Sequence, residues 1–461
     1  MGEVKSKKLT FLGKVGYGLG DAGGCLTFAL MGSTFSMYCT DALKIDTTLL
    51  AILFLIWNIW DFINDPLMGA LMDKRFAKNK NPKGKFRPWI LKASPLVCVT
   101  FIALWSVPQF LDGIGLICCL FGLKILYEGS YTMFNIPMGS LLSVMSTNDE
   151  ERASLSSWRG IGSGIGNMLP MVIVPPLLKM YGQTNAKGYA IGAIICALIG
   201  FIMCLLHYFF TTEHLEDKKE QNVSNVRVID ILKVFKVNRP FVALCVHGLC
   251  ICAMQYVSST LTNYVYASVL GDIELATYGT IVTAPFMGII FVFGAKIARK
   301  IGLEKMIRYS LLAGGALYLT LFVLYCTFNL NPWVYIILSG VAMGIASISI
   351  YMQWGLVGEA IDYNEMVTSK RTEGSIYGTF NLSRRVGQTL ATSFAIFMLG
   401  VIGYDADLIV QTDITIFGLK VLSILLPALF VFGSYFAFKF IWNIDAKTRE
   451  KLLEFKTKGG E

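Results

Sequence analysis

Apolar runs of about twenty residues recur from one end of this chain to the other, each long enough to cross ~30 Å of hydrocarbon as a helix. The run AIGAIICALIGFIMCLLHYFF, residues 190–210, carries no Asp, Glu, Lys or Arg. Inside lipid, backbone N–H and C=O groups must be satisfied within the segment or in a closed barrel, and uninterrupted runs of this length read as helices. Composition rules out a soluble core as their destination. Of the 461 residues 54% are hydrophobic and 15% charged, where an average soluble domain has ~25% charged. The sequence therefore predicts an all-α membrane protein with twelve transmembrane helices, over residues 16–40, 48–72, 89–109, 114–141, 154–179, 188–211, 241–268, 276–297, 307–328, 332–358, 374–403 and 415–442.

Short loops set the orientation. Lys74, Arg75, Lys78, Lys80, Lys83, Lys85 and Arg87 crowd the connection after the second span, while Asp112, Asp272, Glu274, Asp405 and Asp407 sit in connections of opposite parity. Basic loops stay cytoplasmic. Both termini are then inside, where Lys5, Lys7 and Lys8 at one end and Lys447, Arg449 and Lys451 at the other also belong. A multi-pass monomer of the cytoplasmic membrane is expected, and the formal charge of +9 reports topology, with no nucleic-acid partner needed. The first span holds Asp21, and no small-residue cleavage pattern follows it before TDALKID, so no cleaved leader is expected. The cysteines lie in or beside apolar spans, as buried thiols do, and the histidines show no metal-ligand spacing.

The longest hydrophilic interval, residues 212–240, divides the spans six and six. After span two the chain reads GALMDKR and after span eight GAKIARK, so Gly69 and its basic cluster recur as Gly294 with Arg299 and Lys300, with Ala298 in the place of Asp73. A repeat on this scale predicts two pseudo-symmetric six-helix bundles, residues 1–211 and 241–443, joined by a cytoplasmic loop, 212–240, and followed by a cytoplasmic tail, 444–461. The motif resembles the signature loop of the major facilitator superfamily. There Gly69 would allow close helix contact and Asp73 would tie cytoplasmic ends together in one conformation.

Charges inside the spans show where function is to be sought, because an Asp at a span's centre costs ~2.5–3.5 kcal/mol on insertion scales and needs compensation. NIWDFINDPLMGALMDKR, residues 58–75, sets Asp61 and Asp65 four apart on one helix face. Two such carboxylates repel or share a proton unless a cation sits between them, which is the composition of a Na+ or H+ site. Static pairing with arginines of other helices is the alternative. In span four, KILYEGSYTMFNIP spaces Lys124, Glu128, Thr132 and Asn135 into one polar stripe. Lys124 and Glu128 either pair with each other or serve the site. Thr132 offers the uncharged oxygen that a hard cation takes. Asp21, about one turn from the cytoplasmic end of its span, suits capping, gating or binding.

Arg384 and Arg385 lie about ten residues into span eleven, and adjacent helix positions diverge by ~100°, so one of them is expected to face the cavity. That guanidinium would clamp a substrate carboxylate or pair with Asp61 or Asp65. Summed, Asp21, Asp61, Asp65 and Glu128 exceed Lys124, Arg384 and Arg385 by one negative charge, which a bound monovalent cation would balance. Of the aromatic residues nearby, Trp57, Trp60, Tyr131, Trp158, Trp354 and Tyr377, each suits packing or the stacking of a sugar face. GLGDAG, residues 18–23, matches a dinucleotide fingerprint in letters only. No strand precedes it, and its glycines suit close helix packing better.

Five stretches, in order, carry a resemblance: YGLGDAG in span one, IWDFINDPLMG in span two, KGKFRPW before span three, NIPMGSL ending span four, and IDYNEMVTSKRTEGSIYGTFNLSRRVGQ across spans ten and eleven. Together they resemble the glycoside-pentoside-hexuronide:cation symporters, the family of the melibiose permease and the glucuronide carriers. The resemblance implies the major facilitator fold and secondary active transport by alternating access. It implies symport of a small glycoside or glucuronide with a monovalent cation, Na+ favoured over H+, and no other cofactor. Asp61 and Asp65 would be the cation carboxylates, with Asn64 beside them and Thr132 in the same Na+ site. Arg385 stands where melibiose permease has a lysine tied to both sites, and Arg159 matches an arginine near the sugar pocket. The permease's galactoside-binding carboxylates fall here on Cys25 and Asn135, a loss of negative charge that suits an anionic sugar. Glu128 and Trp354 complete the expected substrate contacts. Asp73, Arg75, Glu359, Asp362, Arg371 and Glu373 are expected to exchange salt bridges in cytoplasmic loops. The rival readings are a neutral pentoside or xyloside symporter, a lysolipid symporter and a membrane sugar sensor that does not translocate. An enzyme is not expected, since no nucleophile with its base and no metal cluster is in view.

Overall fold

A computed structural model describes residues 9–78, 86–146, 149–213, 237–328, 331–368, 373–408 and 410–458. These residues form helices and short turns, and no strand occurs among them. Before the middle loop come α1 (Phe11–Met37), α2 (Thr47–Lys78), α3 (Arg87–Ser106), α4 (Gly113–Met145), α5 (Asp149–Tyr181) and α6 (Ala186–Phe210). After it come α7 (Arg239–Tyr264), α8 (Leu275–Ile301), α9 (Leu303–Thr327), α10 (Pro332–Thr368), α11 (Glu373–Val401), α12 (Asp413–Ile441) and a tail helix, α13 (Ala446–Lys458). Most of the loop itself, 214–236, lies outside the described residues. Among those described, eight helices are long and apolar enough to cross a membrane by length and composition.

Side chains fix several helix starts. Thr10 Oγ1 accepts from the Gly13 N–H at 3.1 Å to cap α1, and Asn238 Oδ1 accepts from Phe241 N–H at 3.0 Å to cap α7. The helix ends differ from expectation. α10 runs to Thr368, well past the expected limit at 358, because EAIDYNEMVT contains no glycine or proline to interrupt an established ladder. Glu359 and Asp362 therefore stand on a helix and not in a loop. Asp73 and Arg75 likewise lie on α2, and Glu373 opens α11. Arg371 lies outside the described residues.

The chain divides into two compact units. The first comprises Met1–Glu220 with the turns Tyr266–Thr277 and Tyr404–Gln411. Within it α1 packs most extensively on α5 and α6. A Cβ added at Gly162 of α5 would stand 2.0 Å from the Gly18 carbonyl oxygen, and one added at Gly23 would stand 2.7 Å from that of Gly200 on α6. The glycines of GLGDAG thus bring helix backbones together, which a larger residue would prevent. Trp57 is 2% exposed and lies 5.4 Å from the Phe54 ring and 6.0 Å from Phe35, so it serves packing.

The second unit comprises Gln221–Val265, Tyr278–Gly403 and Thr412–Glu461. Its core joins Phe241 and Leu244 of α7, Ile307 of α9, Leu356 of α10, Phe380 of α11 and Leu452 of α13. Leu452 seats the tail helix on this core. Arg449 Nη2 adds a bond to Glu359 Oε2 at 3.2 Å, from the tail helix to the far end of α10.

Candidate functional site

Close packing of α1 on α5 sets two polar stripes side by side. Tyr17, Asp21 and Cys25 follow at intervals of four on α1, as do Arg159, Ser163 and Asn167 on α5. Arg159 Nε donates to Asp21 Oδ1 at 3.0 Å. Cys25 Sγ lies 3.2 Å from Ser163 Oγ and 3.8 Å from Asp21 Oδ2, and Asn167 Nδ2 donates to Ser163 O at 2.7 Å. The Asp21 side chain is 9% exposed and that of Arg159 37%. Arg159 therefore compensates the Asp21 charge and belongs in the sum of deep charges. With it included, the single negative excess expected from the sequence disappears, and charge balance alone no longer calls for a bound cation.

A second cluster joins α2 to α4. Asn64 Nδ2 donates to Thr132 Oγ1 at 2.9 Å, with both residues buried. Asp61 precedes Asn64 on the same helix by three residues, and its Oδ1 is buried. Asp65 follows on α2, where the structure describes its helical backbone. On α4 Lys124 forms an ion pair with Glu128, their side chains 8% and 9% exposed. Of the two roles open to these residues, mutual pairing is the one seen. Tyr127 donates to Thr27 Oγ1 at 3.2 Å, and Phe28 stacks on Tyr131 at 5.5 Å. Amide and hydroxyl oxygens such as those of Asn64 and Thr132 are among the ligands a hard cation takes.

In the second unit Arg384 lies near the middle of α11. Its guanidinium carbon is 5.3 Å from the centroid of the Trp354 ring, which stands edge-on to Phe380 at 5.4 Å. Cys252 and His247 lie beside it, and His247 Nδ1 bonds Ser434 Oγ. Among the described residues no carboxylate pairs with Arg384, and its Nε is buried without a hydrogen-bond partner. A guanidinium at such depth carries a cost of ~2.5–3.5 kcal/mol on insertion scales, of which a cation–π contact recovers about 0.5–2 kcal/mol.

Arg385 is exposed, as is Asn135. Trp158 meets Phe11 edge-on at 5.5 Å, and Trp354 is 38% exposed. Cys25, Asp21 and Arg159 come together, as do Asn64 and Thr132. Sequence reasoning passed over Ser163 and Asn167, although their spacing from Arg159 would have revealed them. Nothing in the sequence joins His247 to Arg384.

The family model described as MFS/sugar transport protein matches residues 16–446. The chain belongs to that family. Among MFS/sugar transport relatives, a provisionally named sulfoquinovose importer of Escherichia coli (strain K12) is 28% identical over 97% of this chain and 94% of its own. The glucuronide carrier protein homolog of the same organism is 27% identical over 97% of this chain and 96% of its own. Among solved structures, a variant of the nucleoside transporter NupG has a TM-score of 0.66 at 13% identity, covering 94% of this chain and 100% of that one, a likeness of fold alone. The protein is accordingly an all-helical, multi-pass membrane transporter for sugars and not an enzyme. The relatives agree with the resemblance to glycoside-pentoside-hexuronide:cation symporters drawn from the sequence.

Proposed function

We propose that this sugar transporter is a symporter that carries an anionic glycoside together with a monovalent cation, Na+ favoured over H+. The observation that carries the reading is the 2.9 Å bond from Asn64 to Thr132, which joins the Asp61-bearing helix to α4 and gathers oxygen ligands. In this reading the cation binds at Asp61, Asp65, Asn64 and Thr132 and readies the protein for sugar. Alternating access then turns on two six-helix bundles, 1–211 and 241–443, in a monomer of twelve spans with both termini cytoplasmic. Glu359, Asp362, Asp73, Arg75, Arg371 and Glu373 serve the cytoplasmic closure. The relatives named for sulfoquinovose and glucuronide both point to sugars with an acidic group.

A neutral xyloside is the second reading, favoured by the Asp21–Arg159 pair, which cancels a guanidinium charge beside Cys25. Uptake into proteoliposomes separates the two. Labelled phenyl glucuronide is expected to accumulate under an inward Na+ gradient and not without it, with phenyl xyloside left behind. Accumulation of the xyloside alone would overturn the anionic reading, and accumulation of either sugar without any cation gradient would overturn symport.

A further inference from the structure

Of the cations Lys124, Arg159 and Arg384, set deep in their helices, two are already answered. Lys124 is paired with Glu128, and Arg159 with Asp21. Arg384 is different: among the described residues it pairs with no carboxylate, its polar partner there is the neutral Cys252 thiol, and its buried Nε has no hydrogen-bond partner. Its stem is fixed, since a Cβ at Gly248 on α7 would lie 3.0 Å from Arg384 Cγ, and its head rests against the Trp354 ring. Arg384 lies eleven residues after the start of α11 at Glu373, which at a rise of ~1.5 Å per residue puts it close to the middle of a ~30 Å hydrocarbon layer. Ionisable side chains at that depth face protein or water and answer to a partner, and unpaired ones mark the path of the opposite charge.

We infer that Arg384 is the group that binds the acidic substituent of the transported sugar, with the Trp354 ring beside it receiving the apolar face of the sugar. A planar guanidinium offers two parallel N–H donors to a carboxylate or a sulfonate, which share the required geometry. An indole already held edge-on by Phe380 presents a fixed face for stacking. The assignment rests on the anionic-glycoside reading above. The sequence leaves the clamp open between Arg384 and Arg385, and the resemblance implies Arg385, with Arg159 near the sugar pocket; this assignment chooses Arg384. Arg159 is less available for this role, because Asp21 already holds it.

The test measures half-saturation for uptake in proteoliposomes of the full chain, with phenyl glucuronide, a 6-sulfonated phenyl glycoside and uncharged phenyl glucoside as labelled probes. Loss of a charge-assisted pair predicts that Arg384→Gln raises half-saturation about 10- to 100-fold for whichever acidic probe the wild type carries, and leaves the glucoside within about twofold. Arg384→Lys keeps the charge and loses the fork, and is expected to fall between wild type and Arg384→Gln. It also decides the matter if Arg384→Gln fails to fold. Unchanged half-saturation for the acidic probe overturns the assignment, as does an equal loss for charged and uncharged probes. If the wild type carries only the glucoside, the anionic reading itself has failed and the role of Arg384 falls with it.

Discussion

Asp21 on α1 and Arg159 on α5 form a 3.0 Å ion pair whose carboxylate is almost wholly removed from solvent. Breaking a buried pair from one side costs about 3–5 kcal/mol, because the survivor stays charged and unpaired. Here Arg159 is 37% exposed, and water reaching it reduces the expected cost of Asp21→Asn or Arg159→Gln to about 1–2 kcal/mol. The double variant is expected to be less destabilised than the two singles summed. Thermal unfolding of all four proteins in one detergent checks this. Strict additivity would show that the pair has no energetic coupling.

Glycine positions give a prediction of opposite signs. A Cβ at Gly162 would stand 2.0 Å from the backbone oxygen of Gly18, while at Gly129 on α4 nothing lies within 4 Å. Gly162→Ala must push α1 and α5 apart and is expected to cost about 1–3 kcal/mol or more. Gly129→Ala meets open space and relieves backbone entropy, for a change between zero and a gain of about 1 kcal/mol. Melting temperatures of the two variants decide it, and a Gly162→Ala protein as stable as wild type would contradict the α1–α5 packing.

These two cases show which features the sequence made legible. Helical class followed from the apolar runs, because lipid leaves the backbone little choice, and the packing role of the GLGDAG glycines followed from their place in a span. The Asn64–Thr132 partnership was anticipated through resemblance. What stayed hidden depends on packing across helices. The resemblance places Arg159 near the sugar pocket, while its pairing with Asp21, 138 positions away, is visible only in the fold. Arg384 and Arg385 are neighbours in sequence with different surroundings, and only the positions of α7 and α10 distinguish them. The extension of α10 was missed because hydropathy marks where lipid ends, not where hydrogen bonding ends.

Asp41, one residue beyond the first expected span, supplies a pH dependence. It is 2% exposed and accepts from the Thr40 hydroxyl at 2.7 Å and the Tyr404 hydroxyl at 2.9 Å. Burial pushes its carboxyl up to about 6 from 3.8, against the opposing pull of those hydrogen bonds and of Lys44. A raised folded-state value means that the folded protein binds the proton more tightly. Its stabilising contribution is therefore complete below the unfolded value of 3.8 and lost as pH rises through about 6. Asp41→Asn is expected to raise the melting temperature at pH 8 and to change it little at pH 4.5. If the variant keeps the wild-type slope between those pH values, the dependence belongs to another group.

The Asn64–Thr132 bond supports a last prediction, about the cation. If Asn64 and Thr132 share an ion with Asp61, then Thr132→Ala removes an oxygen ligand and leaves the carboxylate, so the Na+ concentration for half-maximal uptake should rise about tenfold, the worth of ~1.4 kcal/mol. Thr132→Ser retains the oxygen and is expected to behave as wild type. Asp61→Asn removes the charge, and should abolish accumulation against a gradient. Sugar exchange between two pools at equal concentration should persist, because exchange needs no net movement of cation. Following Na+ titration of uptake and of exchange in the same vesicles separates a ligand from a merely structural residue, since lost packing would depress both readouts together. A Thr132→Ala protein with unaltered Na+ dependence would remove Thr132 from the site, and uphill uptake by a protein lacking both Asp61 and Asp65 would remove the site from α2.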